Sequence, residues 1–260
     1  MNSKKNLIKQ LVITDLKMRY QNSVLGYVWT LLKPLFMFGV LFIVFTQIFK
    51  VGKAVPYFAA YLLLGLVVWT YFVEATVAGM HSILQRGDMI RKITISKFAI
   101  VLSANISALI NFIFNLCVVV AAMVLLSVPL RWEMLFMLPL IALLFVTTLG
   151  ISLLLSTLFV KFRDMSHVWD VVVQTLFYAT PILYTLDIVP RKIQLVQFLS
   201  PVTNIIQFMR WSFITPETPT INNVSTNPIY YLLVALIFVA IMLAGTTYFK
   251  KHSKYFAEEI

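Results

Sequence analysis

Charge is scarce in this 260-residue chain. Only 12% of its residues are Asp, Glu, Lys or Arg, against about 25% in soluble domains. Hydrophobic residues make up 60%, and the mean hydropathy is +0.90, so an ordinary soluble domain is excluded. The ten acids are scattered, and no pair of them is set for acid–base work. One cysteine, Cys117, excludes a disulfide framework. His81, His167 and His252 stand too far apart in sequence for a local metal site. No GxxxxGK(S/T) loop, GxSxG elbow or HExxH helix occurs. No cofactor and no enzymatic activity are therefore expected on this chain, and any energy source lies on another. Internal repeats and low-complexity tracts are absent, which leaves one domain over 1–260.

What the chain has is long apolar runs. They lie near 31–49, 57–80, 99–127, 136–160, 168–186 and 229–249. As helices at about 1.5 Å per residue, such runs span a hydrocarbon layer of ~30 Å. They are continuously apolar, without the alternation of a barrel strand. The expected fold class is an all-α polytopic membrane protein with six transmembrane helices, a core over 31–249 and a tail over 250–260. With both termini on one side, that side holds 15 of the 21 Lys and Arg. The other holds Lys50, Lys53, Arg131, Arg191, Lys192 and Arg210. Cationic loops stay inside, so both termini are expected in the cytoplasm. The net charge of +11 then reflects topology and anionic membrane lipids, and no nucleic acid is expected as a partner. The first run is too long for a signal peptide and lacks a small-residue cleavage site, so it reads as a retained span. The sequon at Asn223 to Ser225 reads as chance.

The segments between runs carry their own patterns. Residues 1–30 lead into the first span. Within them Leu7, Ile8, Leu11, Val12 and Leu16 share a helix face among lysines, the pattern of an interfacial helix with its apolar side in the acyl boundary. From Asp15 to Pro34 the chain passes through a polar turn and Leu25-Gly26 into a span with Trp29 at its mouth. The 81–97 loop mixes charges with Ile83, Leu84, Met89, Ile90 and Ile93, fitting either a short amphipathic helix or a solvated loop. Residues 187–228 form the longest non-spanning segment. A crossing there would reverse the charge bias, so re-entrant external helices broken at Pro201 are expected between the fifth and sixth spans.

Polar side chains inside the spans fall into stripes spaced i, i+4. They are Ser103, Ser107, Asn111 and Asn115 on the third span, Thr148, Ser152 and Ser156 on the fourth, and Asp170, Gln174 and Tyr178 on the fifth. Each stripe faces either another helix or a hydrated pathway. Glu74 is the one acid well within an apolar run, a functional or a paired structural carboxylate. Trp69, Tyr71 and Phe72, with Phe177, Tyr178 and Tyr184, supply rings for sugar faces, lipid tails or packing.

In order along the chain, these residues resemble a known family. The carriers are Arg19-Tyr20 to Ser23, Leu25-Gly26, Trp29 and Pro34, then Gly65, Trp69 and Phe72, then Ile90-Arg91-Lys92. They continue with Phe162-Arg163-Asp164, Tyr178 to Ile182, Tyr184 and Pro190. The chain resembles the permease subunit of ABC exporters for polysaccharides and polyol phosphates, the group that exports O-antigens, capsules and teichoic acids. It departs where Val68 precedes Trp69 and where Ser200 precedes Pro201. The resemblance implies a substrate gate at Arg19, Tyr20, Leu25, Gly26, Trp29 and Lys33, where an undecaprenyl-linked polysaccharide approaches through membrane lipids. It implies a translocation pathway drawn from Trp69, Phe72, Glu74, Asn111, Asn115, Gln174, Phe177, Tyr178 and Tyr184. The 81–97 loop, with Arg86, Asp88, Arg91 and Lys92, becomes the coupling element for a cytoplasmic ABC ATPase subunit that holds the ATP. Two permeases form a homodimer around the pathway in the bacterial inner membrane. The rival readings are a permease for a drug or simple lipid, a membrane-embedded polyprenyl-carrier transferase and a structural subunit. The transferase needs a carboxylate cluster at a membrane surface, and none is visible.

Overall fold

A chain this apolar must satisfy its backbone internally, and it does so with helices. The computed structural model describes residues 2–20, 26–48, 55–92 and 95–259, and no strand occurs among the described residues. In order the helices are α1 (Asn2–Tyr20), α2 (Gly26–Ile43, running on as a π turn to Ile48), α3 (Phe58–Gln85), α4 (Gly87–Lys92), α5 (Lys97–Leu125) and α6 (Met137–Lys161). There follow α7 (Met165–Ala179), α8 (Arg191–Gln197), α9 (Pro201–Phe213), α10 (Ile221–Val224), α11 (Pro228–His252) and α12 (Phe256–Glu259).

α3 is the hub. It is apolar on all sides, and 78% of its most apolar stretch is buried against α5, α6, α9, α2 and α7. α11 is its opposite, leaning mainly on α6 with 11% buried, so Leu232, Leu236, Val239 and Leu243 point outward. In a bilayer those side chains meet lipid tails. Local chemistry sets the helix starts. The Ser96 hydroxyl accepts from the Ala99 amide before α5, and Asn227 caps α11 with Pro228 in the first turn.

Among the described residues, four helices are long and apolar enough to cross a membrane: α3, α5, α6 with the 3₁₀ turn that precedes it, and α11. They coincide with the second, third, fourth and sixth runs. The segment Leu32–Ile48 is apolar but shorter. The fifth run needs correction, because α7 stops at Ala179 instead of continuing to residue 186. Thr180 precedes Pro181 and is extended (φ −85°, ψ 136°), the conformation that a following proline ring imposes. At 15 residues, α7 reaches about 22 Å.

The apolar face of α1 also differs from expectation. Leu11 and Val12 are buried, and Leu7 and Ile8 pack with Leu11 on Ile83, Ile100, Leu153 and Phe256. Protein occupies the face that the sequence offered to lipid. The same cluster receives Ile90 of α4, Phe249 at the end of α11 and Phe256 of α12, so both terminal helices gather at one end of the bundle.

α6 and α11 cross where Gly150 meets Gly245. A Cβ on Gly245 would lie 2.0 Å from the Gly150 carbonyl oxygen, so any side chain there drives the helices apart. Gly245→Ala should cost about 1–3 kcal/mol. Gly39→Ala has no heavy atom within 4 Å of its Cβ and should leave stability intact. Thermal melting in detergent, followed by size-exclusion chromatography, checks both.

Candidate functional site

A cavity of about 680 Å³ lies between α2, α3 and α7. α2 contributes Lys33, Pro34 and Met37, α3 contributes Trp69 and Glu74, and α7 contributes Asp170, Gln174, Phe177 and Tyr178. The i, i+4 spacing puts Asp170, Gln174 and Tyr178 on one face of α7, and all three are exposed to this space. Trp69 and Phe177 approach at 5.9 Å and Phe177 and Tyr178 at 5.2 Å between ring centroids, which makes a continuous aromatic wall. One ammonium, two carboxylates, an amide and the hydroxyls of Thr70 and Tyr178 therefore share a chamber that is otherwise apolar. Such a set can hydrogen-bond hydroxyls and stack against sugar rings.

Other candidate pathway residues lie elsewhere. Phe72 is buried in the core, its ring between Trp69 (5.2 Å) and Trp169 (6.3 Å). Asn111 is buried and reaches the chamber through its amide, which donates to Glu74 Oε1 at 2.7 Å. Asn115 turns back to donate to the Asn111 carbonyl at 2.9 Å. Tyr184 donates to the carbonyls of Tyr178 and Ala179 and accepts from Gln197 at 2.6 Å, which ties the broken end of α7 to α8. The α6 stripe packs on α3: Thr148 meets the Tyr71 hydroxyl at 3.2 Å, and Ser152 donates to the Ala75 carbonyl at 3.1 Å. Ser156 bonds its own helix.

Of the gate residues, Lys33 lines the chamber and Trp29 is exposed one turn earlier on α2. Arg19 and Tyr20 end α1 and Gly26 opens α2. The side chains of Arg19 and Tyr20, and all of Leu25, lie outside the described residues.

Within the 81–97 segment, residues 81–85 end α3, Gly87–Lys92 form the short α4 and Lys97 opens α5, while Ile93 and Thr94 lie outside the described residues. Gly87 and Ile90 face inward, while Asp88, Arg91 and Lys92 are exposed. Arg86 departs from that pattern. It is buried, paired with Asp15 of α1, and donates to Ser103 Oγ at 3.2 Å and to the Leu11 carbonyl at 3.4 Å. It fastens α1 to α3 and α5 and offers no free surface to a partner. Asp15 and Arg86 are 71 residues apart, and no local pattern joins them.

Arg210, one of the cations expected on the external side, is fully buried in α9. Its guanidinium donates to the carbonyls of Tyr61 (3.1 Å), Pro181 (2.6 Å) and Ile182 (2.8 Å) and lies 3.7 Å over the Tyr61 ring.

The Glu74–Asn111 bond yields a graded test. Glu74→Gln keeps an acceptor oxygen and should change stability by less than about 1 kcal/mol, whereas Glu74→Leu should cost about 1–3 kcal/mol. Melting temperatures of the two variants decide it; equal losses would mean that the carboxylate charge carries the contact.

Comparison with known proteins places the chain among transporters. Residues 6–214 match the ABC-2 type transporter family. Two Klebsiella pneumoniae proteins, each named O-antigen export system permease protein RfbA, are similar to it. One is 27% identical over 251 residues, covering 95% of this chain and 93% of its own length. The other is 29% identical over 206 residues, covering 78% and 79%. A Myxococcus xanthus protein of the same name is 27% identical over 260 residues, covering 98% and 96%.

Proposed function

This chain belongs to the ABC-2 type transporter family, and on that premise we propose that it is the permease of an exporter for a lipid-linked polysaccharide of the O-antigen type. The observation that carries this reading is the chamber between α2, α3 and α7. Its mixture of Lys33, Glu74, Asp170, Gln174 and aromatic rings suits a glycan that hangs from an anionic lipid carrier. Similarity to three O-antigen export permeases, near full-length for two of them, supports the same substrate class.

In this mechanism the cations around Arg19 and Lys33 attract the carrier's pyrophosphate at the inner surface. Trp69, Phe177 and Tyr178 hold sugar faces, and Gln174 and the carboxylates exchange hydrogen bonds with hydroxyls as the chain moves. A cytoplasmic ABC ATPase binds ATP and drives the permease through α4, whose exposed Asp88, Arg91 and Lys92 meet it. Two copies of the chain close the chamber between them. α2 and α7 complete six crossings with the four long helices, and α8 and α9 lie as re-entrant segments on the outer side. Both termini face the cytoplasm of a bacterial inner membrane.

Deleting the gene should remove one surface polysaccharide while its lipid-linked precursor accumulates inside. An unchanged surface polymer with altered drug tolerance would favour a drug permease and overturn the assignment.

A further inference from the structure

A second pocket, of about 310 Å³, lies outside the chamber, between the first turn of α5 and the end of α11. Lys97, Lys250 and Lys254 line it, over a floor that includes Phe98, Thr246 and Phe249. No residue is shared with the α2–α3–α7 chamber, and among the described residues no carboxylate lines the pocket. We propose that it binds the headgroup phosphate of an anionic membrane phospholipid, held as a structural lipid and not as cargo.

Lys97 is half-buried and donates to the Ser253 carbonyl at 2.6 Å, which fixes its ammonium at the pocket and leaves it two further donors. Lys250, in the last turn of α11, and Lys254, in the turn that follows the helix, are both exposed and line the same space from the side opposite Lys97. The pocket also lies at the first turn of the 29-residue α5, where aligned backbone dipoles favour negative charge. The ligand must have a greasy part as well. Phe98 is 42% exposed, and the outer face of α11 beyond the pocket carries exposed Leu243 and Val239, a track for an acyl chain. A phosphate with hydrocarbon attached satisfies both halves, whereas free phosphate satisfies only the first.

The fold gives such a lipid a task. α11 is the least buried of the long helices and leans mainly on α6. A headgroup shared by Lys97 on one side and by Lys250 and Lys254 on the other clamps the end of α11 to α5.

The test uses the full chain in detergent, titrated with phosphatidylglycerol, phosphatidylcholine or inorganic phosphate. Native mass spectrometry and melting temperature are read together. Wild type should bind phosphatidylglycerol at least tenfold more tightly than phosphatidylcholine and melt higher with it. Lys97→Gln/Lys250→Gln/Lys254→Gln should lose at least tenfold in phosphatidylglycerol affinity, on an expectation of about fivefold per lysine. Lys250→Gln/Lys254→Gln keeps the Lys97–Ser253 bond and should still lose most of that preference, which guards against a folding defect in the triple variant. The charge-matched control Lys5→Gln/Lys9→Gln/Lys161→Gln should keep it. The proposal is overturned if the control loses as much affinity, since non-specific attraction would then suffice. It is equally overturned if inorganic phosphate displaces the lipid, or if the lipid is lost once an ATPase subunit binds.

Discussion

Arg210→Leu should leave little folded protein in the membrane. The variant strands the buried carbonyls of Pro181 and Ile182 and takes a second donor from the helical carbonyl of Tyr61, all of which now accept from one guanidinium. Each unsatisfied buried group costs about 1–3 kcal/mol and the volume lost with the side chain adds to it, so the sum approaches the stability of a domain. Among the described residues no carboxylate pairs with Arg210, and its charge is instead spread over carbonyl dipoles and the Tyr61 ring. The carbonyls of Pro181 and Ile182 lie just past the end of α7, so the arginine supplies donors where no helix ladder reaches. Arg210→Lys, with a single ammonium and no planar fork, should retain only part of the protein. Gly65→Ala should fail by a different route. Its Cβ would stand 2.4 Å from Arg210 Nη2, and the guanidinium can yield only by giving up its bonds to the three carbonyls. Yield and melting temperature after purification check all three; an Arg210→Leu protein that melts like wild type would refute the account.

Charge reversal at Arg91 and Lys92 should have the contrary profile. Both side chains are exposed on α4, so Arg91→Glu/Lys92→Glu should alter stability by less than about 0.5 kcal/mol. Export of the surface polysaccharide should nevertheless fall at least tenfold, with ATP hydrolysis by the complex continuing. Polymer on the cell surface and phosphate release by the purified complex are the two readouts. Normal coupled export would remove α4 from the coupling role. Arg86 is unsuitable for this experiment, because reversing its charge breaks the buried pair with Asp15 and confounds folding with coupling.

Much of the helix layout was legible because hydropathy and length are local properties. The stripe Asp170, Gln174, Tyr178 was legible for the same reason, and it forms one wall of the chamber. The early end of α7 was also written in the chain, at Thr180-Pro181, but the apolar residues beyond the proline masked it. Stripes on α5 and α6 left packing and pathway open, and packing prevails at Ser152 and Thr148 because α3 lies against them. What could not be read was long-range. Arg210 looks like any loop cation until its partners 28, 29 and 149 residues away are known. Arg86 likewise passes for part of a basic loop until α1 is seen to fold back on it.

The burial of α3 has an engineering consequence. Most of that helix is packed against its neighbours and tolerates few substitutions, so on the proposed pathway a change of cargo is best written on α2 and α7, which line the chamber together with the half-buried face of α3. Chimaeras that exchange only those two segments between homologous exporters should therefore transfer preference for one glycan over another, while grafts of α3 should yield misassembled protein.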